Sequence, residues 1–206
     1  MKEEAIIKKT NQRDASENKK RIAAVAKELF SQKGYLATSI EDIVSASQSS
    51  KGNLYHHFKS KEGLFLYLIN EQVNEWIEQW TEKEQTYKHF SEKLYGLADH
   101  SLEDLKNPLI KAAEEFGGSQ TADPIVLKKV VEALNKQRDI FQRILREGIA
   151  HGEIEKHDEE QLTFILFALI AGLGSLYNSM EFDELKALHH KAVSVFLHGV
   201  VKKKDI

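Results

Sequence analysis

Helical periodicity runs through almost the whole chain, and few residues interrupt it. The 206 residues include only two prolines, Pro108 and Pro124, and each follows an Asn or Asp, where a proline is tolerated in the first turn of a helix. No Asn-Gly pair lies between alternating apolar runs, so no β-hairpin is expected. With 41% hydrophobic residues, a chain of this length can bury a core without cysteines or a structural metal. The sequence therefore predicts an all-α protein of about nine helices.

The spacing of apolar residues and of capping residues locates these helices. Gly34 ends the first, Thr38 with Glu41 forms a capping box for the second, and Ser60 followed by Glu62 opens a long fourth helix. The predicted helices are 17–32, a short one after Thr38, 49–57, 61–84, 87–105, 108–116, 124–150, 158–179 and 183–201. The predicted domains are a flexible tail (1–15), a helix-turn-helix domain (16–60) and a second helical domain (61–206), and residues 202–206 are also expected to be flexible.

The longest apolar stretch bears on where the protein works. Leu162 to Leu173 is 12 residues long, including Thr163, whereas a helix needs about 20 to cross a bilayer. The N-terminus, MKEEAIIKKT, has no continuous apolar segment of the kind found in signal peptides. The sequence therefore predicts neither a membrane span nor a signal peptide. It predicts a cytoplasmic location.

The charge is divided unevenly along the chain, although the net charge is only -3. Residues 1–62 hold 12 Lys and Arg against 8 Asp and Glu, whereas the remainder is acidic. A basic segment joined to an acidic one is typical of a chain that meets a polyanion at one end. Four cations in the tail could add contacts to phosphates, but a solvated tail explains them equally well: Lys2, Lys8, Lys9 and Arg13.

Two short predicted helices after a longer one are typical of a helix-turn-helix DNA reader. The second of them opens with Ser49 and Ser50, which leave backbone N–H groups accessible to phosphates, and Lys51 adds charge there. Gly52 allows the backbone to approach DNA closely, while Leu54 and Phe58 point into the core. The candidate DNA-binding residues are Ser49, Ser50, Lys51, Gly52, Asn53, Tyr55, His56, His57 and Lys61.

The segment from Gly34 to Phe65, GYLATSIEDIVSASQSSKGNLYHHFKSKEGLF, resembles the DNA-binding signature of the TetR family of transcriptional regulators. The positions that match the family's DNA contacts are Ser49, Ser50, Lys51, Gly52, Tyr55, His57 and Lys61. The resemblance implies a homodimer that binds a pseudo-palindromic double-stranded operator. It also implies a C-terminal helical domain for ligand binding and dimerisation.

The last two predicted helices offer a surface for such a dimer. Apolar residues run almost all round the first of them, so we expect it to be buried on more than one side. These residues are Leu162, Ile165, Leu166, Leu169, Ile170 and Leu173. Two such helices from each subunit would form a four-helix interface. A purely intramolecular core remains the alternative.

Large side chains lie on the helices that surround a ligand cavity in this family, although aromatic residues at helical spacing are more often plain core. The ligand-pocket candidates are Trp76, Trp80, Phe90, Asp104, Phe116 and Phe141, with Tyr95 and Phe164 as weaker ones. Where a family member that binds cationic drugs has glutamates, this chain has Gln72, Val73 and Leu134. Specificity for cationic drugs is therefore not expected.

The predicted function is a ligand-responsive repressor that a small apolar or amphipathic molecule releases from its operator. The alternative is a constitutive DNA-binding dimer without such a ligand. We find no nucleophile motif and no phosphate-binding glycine loop, and the histidines are scattered, so we predict no enzyme activity, no cofactor and no metal site. Two of those histidines, His151 and His157, flank a turn that also holds carboxylates, and a solvated loop explains this turn better than an adventitious metal site does.

Overall fold

The computed structural model describes residues 2–120, 122–155 and 158–200, with side chains described from residue 15 to residue 199 of these ranges. The described part contains nine α-helices and no strand, which confirms the predicted all-α class. The helices are α1 (Lys2–Lys33), α2 (Ile40–Ala46), α3 (Lys51–Phe58), α4 (Lys61–Glu84), α5 (Phe90–Asp104), α6 (Ile110–Gly117), α7 (Pro124–Ala150), α8 (Glu159–Gly174) and α9 (Phe182–Val200). None of these described helices is long and apolar enough to span a membrane.

The first helix begins earlier than predicted. Helix α1 starts at Lys2 rather than at Glu17, while the flexibility of residues 1–15 stays a prediction. No glycine or proline interrupts residues 2–33, and a helix, once started, extends at little cost through such a sequence. The side chains of residues 1–14, with the predicted phosphate contacts of the tail, and the end segment 202–206 lie outside what is described.

The capping box of α2 is one residue later than predicted. Ser39 Oγ accepts from the Asp42 N–H at 3.0 Å, and the Asp42 carboxylate accepts from the Ser39 N–H at 3.1 Å. Thr38 is instead buried, and its hydroxyl donates to the Gly34 carbonyl oxygen at 2.7 Å. Gly34 ends α1 in the left-handed region (φ 85°), which brings its carbonyl within reach of Thr38. The Thr38 side chain is therefore buried and bonded to Gly34, and Ser39 is the residue that caps α2.

Other helix ends differ by a few residues, while two are as predicted. Helix α8 stops at Gly174 rather than residue 179, and α6 starts at Ile110 rather than Pro108. Pro124 is the first residue of α7, and Ser60 caps α4 by accepting from the Gly63 N–H at 3.0 Å. Such shifts at helix ends leave the inward faces of the helices unchanged.

The structure divides into two compact units. The first comprises the described residues up to Glu71 together with Pro108–Ala133; the second comprises Gln72–Asn107 and the described residues from Leu134 onward. In the first unit, rings from separate segments pack at centroid distances of 4.8 to 5.5 Å: Phe30, Tyr35, Phe65 and Phe116. The predicted helix-turn-helix domain (16–60) stays a prediction. The compact unit that contains these residues is larger, because Phe65 and Phe116, which lie outside that range, complete its core.

Charged residues join three helices in the second unit. Glu84 at the end of α4 pairs with Lys93 of α5 at 3.1 Å and with Arg143 of α7. Burial alone would raise the pKa of Glu84, but the hydrogen bonds from Arg143 and Lys93 outweigh it and hold this pKa below its usual value. The stability that these pairs contribute is therefore present at neutral pH and is lost as the pH falls through the lowered pKa.

We expect Gly63→Ala to destabilise the first unit. An added Cβ at Gly63, in the first turn of α4, would overlap the backbone carbonyl oxygen of Phe58, which cannot move away as a flexible side chain could. Overpacking of this kind typically costs about 1–3 kcal/mol. Gly117→Ala is the control, because a Cβ there meets nothing within 4 Å. Chemical denaturation of both variants measures the difference, and equal stability would contradict the steric argument.

Candidate nucleic-acid interface

Helices α2 and α3 are held at a fixed angle by a tight turn and by a small core. Gln48 takes a positive φ of 50°, and the Ser49 N–H donates to the Val44 carbonyl oxygen at 3.0 Å. Arg21 of α1 donates through Nε to the Ser47 carbonyl oxygen at 2.9 Å, which ties the turn to the supporting helix. Ile43 and Leu54 are fully buried. The three helices thus form a rigid support for the outer face of α3.

The start of α3 is capped and charged. Ser50 is the N-cap, and its Oγ accepts from the Asn53 N–H at 3.1 Å. Lys51 forms an ion pair with Glu41 of α2. Gly52 is exposed, and an added Cβ would meet only Ser50 Oγ, at 3.8 Å. Sequence reasoning missed Glu41 as part of this surface; its position in the first turn of the preceding helix was the available signal.

The predicted contact residues of α3 differ in exposure. Tyr55 is 45% exposed, and Lys51 and His56 are also exposed, so their polar atoms can reach a partner in solvent. Asn53 and His57 are half-buried. Burial lowers the pKa of His57, which favours its neutral form, and its Nε2 has no hydrogen-bond partner among the described residues. Ser49 Oγ is likewise shielded and unpartnered in this part of the chain.

Lys61 has a structural role in the first unit. Its ammonium donates to the carbonyl oxygens of Tyr35 and Thr38, at 2.8 Å each, and lies 4.1 Å from the centre of the Tyr35 ring. Burial lowers the pKa of Lys61. The side chain therefore holds the loop between α1 and α2, and two of its three donors are already in use.

The predicted pocket residues are divided between the two compact units. Trp76, Trp80, Phe90 and Phe141 belong to the core of the second unit, whereas Phe116 packs in the first. Asp104 is half-buried and accepts from Gln137 Nε2 at 3.2 Å. Of the weaker candidates, Tyr95 packs beside the same core and Phe164 is 48% exposed below the Arg138 guanidinium.

An apolar groove lies between α8 and α9 in the second unit. Its volume is about 450 Å³. Its lining residues are Ala168, Leu169, Gly172, Leu173, Leu188, Lys191, Ala192 and Val195. Leu169 and Val195, which line the groove, are 38% and 60% exposed, and Ile165 of α8 is 52% exposed; several exposed large apolar side chains on one pair of helices often mark an interaction surface. This surface coincides with the predicted dimer helices.

Two family models match nearly the whole chain. The model described as bacterial regulatory proteins, tetR family, matches residues 22–68, and that described as QacR-like protein, C-terminal region, matches residues 72–202. The HTH-type transcriptional regulator QacR of Staphylococcus aureus is 35% identical over 185 residues, or 89% of this chain and 98% of QacR. The HTH-type transcriptional repressor KstR2 of Mycolicibacterium smegmatis is 27% identical over 141 residues, or 68% of this chain and 69% of KstR2.

Solved structures share the fold. A putative TetR-family transcriptional regulator from Mesorhizobium loti superposes with a TM-score of 0.78 at 22% identity, over 91% of this chain and 98% of that one. The transcriptional regulator FadR from Bacillus subtilis, in complex with stearoyl-CoA, superposes with a TM-score of 0.73 at 24% identity, over 87% of this chain and 97% of FadR.

Helices α1 and α2 support α3, a short polar and cationic helix that is exposed to solvent, and the second unit is all helical. This arrangement defines the class of helix-turn-helix regulators. Together with the matches over both parts of the chain, this places the chain firmly: it belongs to the TetR family of bacterial transcriptional regulators. Members of this family bind operator DNA and act as dimers, and they are regulators rather than enzymes.

Proposed function

We propose that this chain is a repressor that reads operator DNA with α3 in the major groove. The observation that carries the proposal is the exposed start of α3, where Lys51, Tyr55 and His56 stand on a helix held rigidly by α1 and α2. Side chains at this end of a recognition helix contact base edges, and cations contact phosphates. The N-terminus of the helix adds partial positive charge there. The site of action would be the cytoplasm.

The proposed repressor is a homodimer that associates through α8 and α9. Burying the exposed residues Ile165, Leu169 and Val195 against the same face of a second subunit would remove this apolar surface from water. A two-fold dimer presents two copies of α3, which would enter successive major grooves of a pseudo-palindromic operator about 34–36 Å apart.

The proposed regulation is release from DNA when a small apolar or amphipathic molecule binds the second unit. Helix α4 begins in the first unit and ends in the second, so a ligand that displaces its second half would bias the position of α3. Such couplings typically amount to about 1–3 kcal/mol. The structural relative FadR was solved with stearoyl-CoA, which supports a ligand-responsive member.

The alternative is a constitutive DNA-binding dimer. It is favoured by the burial of Phe90 and Phe141 in a packed core, as expected of residues that only stabilise the fold.

Selection of genomic fragments by the purified protein tests the DNA-binding proposal. We expect enrichment of a pseudo-palindrome whose half-sites are one helical turn apart, and failure to enrich any sequence would overturn it. Thermal-shift screening then separates the two candidates. A compound that raises the melting temperature and releases the selected DNA supports regulation, whereas a stabilising compound that leaves the DNA bound favours the constitutive dimer.

We expect Glu41→Gln to strengthen binding to duplex DNA of random sequence. The pair with Lys51 lowers the pKa of Glu41 and raises that of Lys51, so both are charged at neutral pH, and the carboxylate stands where a phosphate would otherwise meet Lys51. Removing the competing carboxylate should increase affinity about threefold and steepen the slope of log affinity against log salt by a fraction of the ~0.9 that corresponds to one full phosphate contact. Fluorescence anisotropy at several salt concentrations measures both, with Glu114→Gln on α6 as the charge-matched control. An unchanged slope would contradict the role assigned to Glu41.

A further inference from the structure

The two tryptophans of the chain share an unusual property. Trp76 and Trp80 lie one turn apart on α4 and are 3% and 0% exposed. Both indole Nε1 atoms are shielded from solvent, and neither has an acceptor among the described residues. Leaving a buried donor unpaired costs about 1–3 kcal/mol, so native cores rarely contain such groups, and two on one helix are unexpected in a plain core.

The polar side chain beside the two tryptophans, His100, has no ring nitrogen left to accept a hydrogen bond from them. The ring of His100 lies 4.6 Å from the Trp76 ring and 5.7 Å from the Trp80 ring. Its Nε2 donates to the Trp76 carbonyl oxygen at 2.9 Å, and Nδ1 accepts from the Lys83 ammonium at 3.2 Å. Burial lowers the pKa of His100, which keeps the ring neutral. His100 therefore uses both nitrogens elsewhere and leaves the indole donors without a partner.

The nearby carboxylates are also engaged. Asp104, one turn after His100 on α5, accepts hydrogen bonds from the side chains of Gln137 and Asn107, and burial raises its pKa. Glu103 pairs with Lys83 at 2.6 Å. Among Trp76, Trp80, His100, Glu103 and Asp104, the side-chain groups without a partner are thus the two indole N–H donors, which suit an incoming acceptor. An organic cation would lose its hydration and find each of these carboxylates already bonded.

We propose that Trp76 and Trp80 form the recognition site for an apolar ligand whose polar end is a hydrogen-bond acceptor, a carboxylate or a carbonyl, and which is not an organic cation. This inference rests on the proposed function, because it takes this cluster as the site of the regulating molecule. Binding of the acceptor would pair donors that are unsatisfied in the free protein. The gain exists only in the bound state, so it can shift a conformational equilibrium.

The two indole N–H groups give two distinct NMR signals, which allow a test on the ¹⁵N-labelled wild-type protein. The probes are octanoate, methyl octanoate and octyltrimethylammonium, which share a chain length and differ in the head group. We expect the first two to move at least one indole proton signal downfield, as hydrogen bonding does, and the ammonium probe to bind at least tenfold more weakly. Trp76→Phe and Trp80→Phe assign the signals, and each should weaken octanoate binding about fivefold, which corresponds to one lost hydrogen bond.

The outcomes separate this inference from the proposed function. Equal or tighter binding of the ammonium probe overturns the ligand class and leaves a ligand-responsive regulator standing. If no probe moves either indole signal while the protein binds its selected DNA, the recognition site is overturned and the constitutive dimer is favoured. Loss of the proposed function would instead be seen as failure to bind DNA, whatever the probes do.

Discussion

We expect Lys51→Ala and Tyr55→Ala each to weaken operator binding about tenfold or more and to leave the fold intact. Lys51 is the first residue of α3 and Tyr55 lies one turn further along the same exposed face. Removing a phosphate-binding cation lowers affinity for every sequence, whereas removing a side chain that reaches a base edge lowers affinity for the operator in particular. Lys51→Ala should therefore also reduce the salt slope by ~0.9, and Tyr55→Ala should leave it unchanged.

Gel-shift titration with the selected operator and with random duplex measures these effects, and circular dichroism verifies the helical content. Lys88→Ala is the charge-matched control, since Lys88 is exposed in the second unit. Unchanged affinity for both α3 variants would overturn the assignment of the DNA-reading helix.

We expect Leu169→Arg and Val195→Arg each to convert the proposed dimer to a monomer and to reduce operator affinity about a hundredfold. Both side chains line the apolar groove between α8 and α9, and both are partly exposed in the single chain, so an arginine there need not disturb the subunit. In a dimer the guanidinium would be buried without a partner, at a cost of several kcal/mol. Two half-sites could then no longer be bound by one linked pair of α3 helices, and the avidity of roughly 10²-fold is lost.

Light scattering after size exclusion at micromolar concentration measures the assembly state. Ser91→Arg, at an exposed position in the first turn of α5, is the control for adding an arginine. A dimer that persists in both groove variants would place the interface elsewhere.

Local sequence signals were sufficient to predict the helical class and the helix-turn-helix. Gly34, Ser60 and Pro124 act within one turn of their own position, so the helix ends that they mark follow from a few neighbouring residues. Thr38 is different because its hydroxyl had two candidate uses, a cap or a bond to Gly34, and only the packing of the loop selects between them.

The candidate sites depended more on contacts between distant parts of the chain. Lys61 stays a predicted DNA contact, but only the structure shows that its ammonium donates to two carbonyls more than 20 residues away. Glu41 became part of the α3 surface because α2 and α3 bring it to Lys51. The exposures of Tyr55, His56 and His57 also follow from how α3 lies on its neighbours, because a side chain between the buried residues Leu54 and Phe58 can lie on either side of the boundary with the core.

The sequence by itself determined an all-helical chain of the TetR family whose basic end carries the DNA-reading motif, because periodicity, caps and a continuous signature are properties of neighbouring residues. Only the tertiary structure placed Phe116 in the core of the first unit, left two indole donors unpaired beside His100 among the described residues, and exposed the groove between α8 and α9. Whether an aromatic ring is core, pocket or interface depends on which distant side chains complete its surroundings, and that information is held in packing rather than in spacing along the chain.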